Sequence, residues 1–362
     1  MSEWRYIASR LNGDGTETFL DFNLPLSDVS VQSSLSGHGG LDAKISPEVA
    51  ALKTSKGEPI FVPWSTAIYA EASGQIRGGG IVTQMPMTGP DLALDCVGFS
   101  GYLGGQPWAG EDKYDTADPL TIDRYIWSQF QKKPFDIGLR PAGADKSQMV
   151  RLSETVTGKN ELYYLAYWET LDLDKERQQL AEIGGYEWVV NHSWSGETIK
   201  HQLEYGYPKL GTRRNNLRFV VGENILEHIS VTDDGDEYAS HVLVLGSGQG
   251  RKMVRAEANK STKRLGRWHV VSDKAIGKDQ VARTRAETEL KALAGEFDIT
   301  EVEVWDHPNA PVGTYTVGDE ILIQSGEGWA DFGDLWVRIL GIIHHPEKNT
   351  STLQIRRAEK IS

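Results

Sequence analysis

Short runs of β-branched and aromatic residues, broken by glycine and proline, dominate the first hundred residues and constrain the fold most strongly. WRYIASRL, ETFLDFNL and STAIYAEA are examples of such runs, and six prolines lie from Pro25 to Pro90. Because proline interrupts helical hydrogen bonding, a long helix is excluded here and strands are predicted. Three glycines at 78–80 lie inside the run QIRGGGIVTQM, which predicts a bulge or a close backbone approach, as at a barrel corner.

Two helices are predicted in the middle of the chain. In DPLTIDRYIWSQFQKK, Asp118 suits the N-cap and Pro119 suits the first helical position. The second predicted helix covers DLDKERQQLAEI and ends at the glycine that follows, with inward positions at Leu173, Leu180 and Ile183. The aromatic run ELYYLAYWET lies between the two helices, so the middle region is predicted to be mixed α/β.

Strands return after the second helix, and one more amphipathic helix, KDQVARTRAETELKALAG, is predicted near 278–294. TAIYAEA…LALDCVG and DEILIQ…TLQIRRAE each have the pattern of three strands separated by turns. This repetition indicates either an internal duplication or two unrelated β-meanders. The predicted fold class is α+β, mainly β. It has two barrel-like β domains, at 1–116 and 211–362, and a mixed helical middle domain at 117–210.

The composition argues against several classes of protein. The net charge is −13, which repels nucleic acid beyond direct contact and argues against a sequence-reading DNA or RNA binder. No apolar run approaches the roughly 20 residues that span a bilayer, and the N-terminus lacks the pattern of a signal peptide. A soluble protein made in a cytoplasm is therefore expected. Cys96 is the only cysteine, which excludes an intramolecular disulfide and leaves a buried, inert thiol as the expectation.

Four patterns approach chemical motifs but fail on spacing. GSGQG at 246–250 lacks both the dinucleotide spacing and the lysine of a phosphate loop, so a tight turn is predicted. TDDGDEY at 232–238 lacks the alternating acids of an EF-hand, which favours a solvated turn over an adventitious cation. His344 and His345 point to opposite faces of a strand and are expected on the surface at a hairpin end. Ser100 in VGFSGY lacks the second glycine of a nucleophile elbow. We therefore predict no catalytic, cofactor-binding or metal-binding residues, and no enzyme.

The order of several longer motifs resembles a known family. They are WRYIA, DFNLPLSDVSVQSSLSGHGGL, PWSTAIYAEASGQIRGGGIV, LDCVGFSGYLGGQPW, NNLRFVVGENILEHISVTDDGDEYASHVLVLGSGQG, GTYTVGDEILIQ and LWVRILGI. Together they resemble the minor tail proteins of siphophages that infect actinobacteria, mycobacteriophages among them. The resemblance implies a central tail hub, similar to the baseplate hub protein of contractile-tailed phages.

The resemblance also implies an assembly. It implies a homotrimer in which two barrel-like domains per chain form a pseudo-sixfold ring, located in the virion at the distal end of the tail. The expected neighbours are the distal tail protein, the tape measure protein and other tail-tip proteins, with assembly in the host cytoplasm and no membrane insertion. DNA is expected to pass through an acidic or neutral channel during ejection without specific binding. The family has no catalytic residues and no cofactors to transfer. Two alternatives stay open: a tail-associated cell-wall glycan hydrolase, and a carbohydrate-binding adhesin that uses surface tryptophans.

Overall fold

The computed structural model describes residues 3–88, 90–114, 116–149, 163–226, 231–232, 238–261, 264–273, 276–293, 298–324 and 334–358. The chain separates into two compact units. The first comprises Met1–His228 and Glu301–Ser362, and the second comprises Ile229–Thr300. Within the described residues, no helix combines the length and the apolar character needed to cross a membrane.

The strands, in chain order, are β1 Trp4–Leu11, β2 Glu17–Asp21, β3 Ser27–Ser34, β4 Gly40–Ile45, β5 Thr66–Ala72, β6 Gln75–Gln84, β7 Met87–Thr88, β8 Asp91–Val97, β9 Glu111–Tyr114, β10 Leu139–Gly143, β11 Tyr163–Ala166, β12 Glu187–Ser195, β13 Thr198–Gly206, β14 Phe219–Val220, β15 Val231–Thr232, β16 His241–Leu245, β17 Arg255–Asn259, β18 Trp268–Ser272, β19 Asp298–Ile299, β20 Glu301–Trp305, β21 Glu320–Gln324, β22 Asp334–His345 and β23 Thr350–Arg357. The helices are α1 Pro47–Ala50, α2 Pro119–Phe130, α3 Leu173–Gly184 and α4 Asp279–Leu293, and short 3₁₀ turns lie at Phe99–Leu103, Gly250–Lys252 and Pro346–Lys348.

Most strands of the first unit form one thirteen-stranded sheet. Its order is β14-β21-β22-β3-β4-β8-β6-β5-β1-β2, with β7 beside β8, β23 beside β22, and β20 beside β23. Strand β22 joins the N-terminal and C-terminal strands, because Gly341 pairs with Ser34 and His344 pairs with Val31. The chain is mainly β, as predicted. No pairing among the described strands closes this sheet into a barrel, so the two barrel-like domains and their boundaries stay a prediction.

Strand β5 explains how the sheet supports two hydrophobic cores. All seven of its residues are buried, and alternate side chains of a strand point to opposite faces. Ala67 and Tyr69 belong to one core cluster, which includes residues of α2 and α3. Ile68 and Ala70 belong to the other, which lies among β1, β3, β4 and β8. The run TAIYAEA is therefore covered on both faces, which accounts for its continuous apolar character.

The glycine run in β6 is confirmed as a close approach with an adjacent bulge. A Cβ atom on Gly78 would lie 2.5 Å from Val31 Cγ1, and one on Gly80 would lie 2.9 Å from Cys96 Cβ. The register between β5 and β6 shifts between Ala70 and Glu71, which is the irregularity that a bulge produces. Cys96 is buried, as predicted.

The two predicted helices of the middle region are α2 and α3. The Asp118 side chain accepts hydrogen bonds from the first turn of α2, and α3 ends before Gly185, which has a φ of 62°. Leu173 and Leu180 are buried as predicted, but Ile183 is 41% exposed and its inward placement was wrong. At 100° per residue, Ile183 lies roughly a quarter turn from the buried stripe, and the fully buried Arg177 occupies the inward position instead. The parallel and antiparallel pairs of the sheet β10-β13-β12 complete the mixed α/β region.

The second unit is a small two-layer α/β structure. Its main sheet has the order β17-β16-β18, and α4 packs on one face of it. Val242 and Val244 of β16 form a core cluster with Ala282, Ala286 and Leu290 of α4. The helix predicted near 278–294 is thus confirmed, whereas its predicted end at Gly295 lies outside the described residues.

Candidate functional site

The glycine-rich segment after β16, predicted to be a tight turn, begins a longer connection between the antiparallel strands β16 and β17 that contains the 3₁₀ turn Gly250–Lys252. The Gly246 amide donates to the Val254 carbonyl at 2.8 Å, and the Val254 amide donates to the Ser247 carbonyl at 2.8 Å. Gly248 has a φ of 101°, a conformation that favours glycine. The glycines therefore serve the connection between β16 and β17. The acidic run at 233–237 lies outside the described residues.

His344 and His345 lie on opposite faces of β22, but the predicted surface position of His344 was wrong. His344 is 7% exposed, and its Nδ1 atom lies 2.7 Å from Ser351 Oγ on β23. Burial, together with the nearby Arg77, lowers the pKa of His344 to about 4. His345 is partly exposed and its Nε2 atom lies 3.0 Å from Thr352 Oγ1. Among the described residues, no group of three or more histidine, cysteine or acidic side chains is arranged to hold a metal ion.

Ser100 forms a hydrogen-bonded chain with a histidine and an aspartate, which the sequence spacing did not predict. Its Oγ atom lies 3.1 Å from His38 Nδ1, and His38 Nε2 lies 3.0 Å from Asp174 Oδ2. A serine nucleophile must reach a substrate carbonyl, but Ser100 has no exposed surface. The three residues come from the β3–β4 turn, the 3₁₀ turn after β8, and α3. In this conformation the arrangement joins three elements and presents no nucleophile.

A second buried polar cluster joins the β1–β2 hairpin to the sheet β10-β13-β12. His201 of β13 hydrogen-bonds Glu17 of β2, and its Nδ1 atom lies 2.7 Å from His192 Nδ1 on β12. The Tyr69 hydroxyl donates to Glu17 at 2.8 Å. Burial, with the neighbouring His201, holds the pKa of His192 well below its usual value, and burial beside Glu17 raises the pKa of the Tyr69 hydroxyl. The cluster therefore connects β2, β5, β12 and β13 through side-chain hydrogen bonds.

The segment after β13 is tied to the start of β21 by charge pairs. Glu320 accepts hydrogen bonds from Lys209 at 2.7 Å and Arg213 at 2.9 Å, and Arg214 donates to the fully buried Asp319 at 2.8 Å. Burial alone would raise the pKa of Glu320, but the hydrogen bonds from Lys209 and Arg213 hold it below its usual value. Charge-assisted hydrogen bonds of this kind fix geometry strongly.

A further pair connects β12 with the central joining strand. The Arg338 guanidinium on β22 donates two hydrogen bonds to the Glu187 carboxylate on β12, of which the one from Nη1 measures 2.6 Å. It also donates to the Gly318 carbonyl at 3.0 Å and to the Leu210 carbonyl at 2.8 Å. The middle region and the C-terminal strands of the first unit are therefore joined by a multiply bonded arginine.

The exposed surface of the first unit includes an aromatic ribbon, formed by Tyr164, Tyr167, Trp168 and Leu171 at the end of β11. The Tyr167 and Trp168 rings lie 4.6 Å apart at 90°, and Lys113 lies 5.1 Å from the centre of the Tyr164 ring. Trp168 is 50% exposed. The consecutive aromatic residues of ELYYLAYWET make this cluster recognisable from the sequence. The residues of the buried clusters lie far apart in the sequence, so no motif predicts them.

Three solved structures resemble the whole chain. A 43 kDa tail protein of prophage MuSo2 from Shewanella oneidensis has a TM-score of 0.60 at 12% identity, with 98% of each chain covered. A tail protein from Neisseria meningitidis MC58 has a TM-score of 0.57 at 14% identity, with coverage of 99% of this chain and 98% of the other. A prophage tail protein from Listeria monocytogenes EGD-e has a TM-score of 0.57 at 13% identity, with coverage of 98% and 95%.

This chain has the fold of these three tail proteins. The correspondence extends over nearly the full length of both chains in each comparison. No family model matches the chain. No curated protein matches its sequence.

Proposed function

We propose that this chain is a structural protein of a phage tail and forms the central hub of the tail tip. The observation that carries the proposal is the full-length likeness to tail proteins, which covers 98% of both chains in the comparison with the MuSo2 protein. The hub would join the tail tube and the distal tail protein to the tip, and would leave a channel for DNA ejection.

The two three-stranded meanders of the large sheet support the proposal that the hub is a homotrimer forming one ring. Strands β5, β6 and β8 pair antiparallel in sequence order, and so do β21, β22 and β23. In both meanders the middle strand carries an extra residue at a register shift, opposite Ala70/Glu71 of β5 in the first and between Ile339 and Gly341 of β22 in the second. Two similar barrel-like regions in one chain would let three chains present about six equivalent positions around an acidic or neutral channel.

The buried clusters support a structural role over a hydrolase. Ser100 contacts His38 and, through it, Asp174, which are the residue types of a catalytic triad, but the Ser100 side chain is buried away from solvent. The paired charges at Arg338 and Glu320 connect distant segments of the first unit. Rigid connection of this kind suits a subunit that transmits force between a tube and a tip.

Light scattering and imaging of the purified protein test the proposed assembly. A trimer has three times the chain mass of 40.2 kDa, and addition of the distal tail protein is expected to give a ring-shaped complex with three copies of this chain. Six equivalent copies, or failure of a tail that contains this chain to place it at the tip, would refute the hub assignment.

The aromatic ribbon favours carbohydrate binding as a second candidate function. Exposed tyrosine and tryptophan faces stack on sugar rings as well as on protein partners. Trp168→Ala is expected to abolish retention on host cell-wall polysaccharide if the ribbon binds sugar, and Trp305→Ala serves as a control, since Trp305 is a 41% exposed tryptophan on β20. Equal retention of both variants would refute this second function and would leave the hub proposal intact.

A further inference from the structure

Among the described residues, the main sheet of the second unit has one face covered by α4 and one open face. Alternate side chains of a strand point to opposite faces, and Val242, Val244 and Ala256 pack in the core cluster with α4. The residues between them therefore face the other way. The strand register places Leu243 of β16 between Glu257 of β17 and Val270 of β18.

The open face combines an apolar centre with a polar edge. We define it by Leu243, Leu245, Trp268, Val270, Arg255 and Glu257. Trp268 is 57% exposed and Val270 is 53% exposed, while Arg255 and Glu257 form an ion pair on the neighbouring strand. Large apolar side chains bordered by charged ones are typical of protein contact surfaces, in which tryptophan and arginine are enriched.

Strand β18 is also an edge strand. It pairs with β16 alone among the described strands, and its first three residues are exposed. An apolar edge strand invites association with another chain unless it is covered or carries blocking charges. The open face and this edge meet at Trp268 and Val270, so one partner can cover both.

The charge distribution of the chain indicates what the partner is. Residues 251–278 hold nine basic and two acidic side chains. Residues 229–300 as a whole hold 12 basic and 11 acidic side chains, a net charge of +1, so the remainder of the −13 chain carries −14. The segment that carries β17 and β18 is thus basic in net charge, which is complementary to an acidic partner, and the first unit of a second copy is acidic in net charge.

We propose that the open face of the second unit docks on the acidic first unit of a neighbouring copy of this chain. Such a contact uses different surfaces on the two partners, and contacts of that type close into rings when the rotation allows it. The inference rests on the proposed trimer and adds to it a contact surface outside the large sheet.

Two exposed valines of the second unit provide a matched test. Val270 on the open face is 53% exposed, and Val281 on α4 is 51% exposed. A charge introduced at a contact centre has to be buried without a partner. Val270→Asp is therefore expected to weaken self-association at least about tenfold, whereas Val281→Asp is expected to leave it unchanged, as measured by light scattering against protein concentration. Circular dichroism checks that both variants fold.

A cross-linking measurement identifies the partner independently of any loss of folding. Because the native Cys96 is buried, Val270→Cys and Val281→Cys each offer one accessible thiol for a photoreactive label. The label at 270 is expected to give chain-to-chain adducts with peptides of the first unit, and the label at 281 is expected to give few.

Each outcome bears on the inference. Equal adducts at 270 and 281, or a trimer whose mass and stability Val270→Asp leaves unchanged, would overturn the open-face contact while the trimer stands. If the purified wild-type chain is a monomer, the self-docking contact is overturned. The proposed trimer is then tested separately, by the copy number of this chain in assembled tails. If the wild-type chain binds duplex DNA, and Val270→Asp abolishes that binding without changing the mass of the assembly, the self-docking contact is overturned in favour of a nucleic-acid partner.

Discussion

Removal of the Arg177 guanidinium is expected to destabilise the protein far more than removal of a surface cation. Arg177 and Asp123 are both fully buried, and their Nε and Oδ1 atoms lie 2.7 Å apart. The Tyr186 hydroxyl donates to the same carboxylate at 2.9 Å. The guanidinium carbon also lies 5.0 Å from the ring centre of Trp127 and 4.6 Å from that of Trp188. The pair thus joins α2 and α3 inside the first unit.

The magnitude follows from burial. Arg177→Met leaves a buried carboxylate without its cation, which is expected to lower the free energy of unfolding by about 3–5 kcal/mol. Lys44→Met is the control: Lys44 lies 2.6 Å from Asp28, but the two side chains are 46% and 57% exposed, so little change in the free energy of unfolding is expected. Urea unfolding followed by tryptophan fluorescence suits the comparison, because ten of the 11 tryptophans belong to the first unit.

A double variant separates desolvation from packing. Arg177→Met with Asp123→Leu removes both charges, and it is expected to recover most of the stability, because replacement of a buried ion pair by apolar residues is often neutral. Equal losses in Arg177→Met and Lys44→Met would refute this reasoning. A double variant as unstable as the single one would show that the cation–π contacts, rather than the unpaired carboxylate, set the loss.

Two further variants test the polar and close-packed contacts. Because folding holds His344 neutral down to about pH 4, the unfolded chain binds the extra proton as pH falls below its ordinary pKa near 6.5. The free energy of unfolding should therefore fall between pH 6.5 and 4 by roughly 3 kcal/mol. In urea titrations at several pH values, the free energy of unfolding of His344→Asn should fall less over this range than that of the wild type. Identical pH profiles for the two proteins would contradict this. Gly98→Ala would place a Cβ atom 1.8 Å from the His38 carbonyl oxygen and should cost at least about 2 kcal/mol. Gly266→Ala, which meets nothing closer than 3.6 Å, should change the thermal midpoint little, and equal shifts would contradict the steric account.

Local patterns in the sequence predicted the elements but not their partners. Asp118 and Pro119 predicted the start of α2 because capping depends on neighbouring residues alone. The pairing of β3 with β22 joins Val31 to His344, more than three hundred positions apart, and period-2 alternation carries no information about which strand lies alongside. The sequence accordingly suggested separate β domains where the large sheet draws on both ends of the chain.

The buried clusters could not be predicted either, because their residues lie far apart in the sequence. Ser100, His38 and Asp174 come from three elements, and none of the three lies in a motif that predicts the others. The surface expectation for His344 failed because its burial depends on residues distant in sequence, among them Trp4, whose ring centre lies 5.6 Å from that of His344. The open face of the second unit required the register of three strands, which the sequence does not supply.

Cryo-electron microscopy of an assembled tail that contains this chain tests the central proposal most directly. The account predicts three copies at the distal end, arranged as one ring in which each chain supplies two similar β regions, with neighbouring copies in contact at the open face. A map with this chain repeated along the tube, absent from the tip, or present there in a copy number other than three would contradict the account.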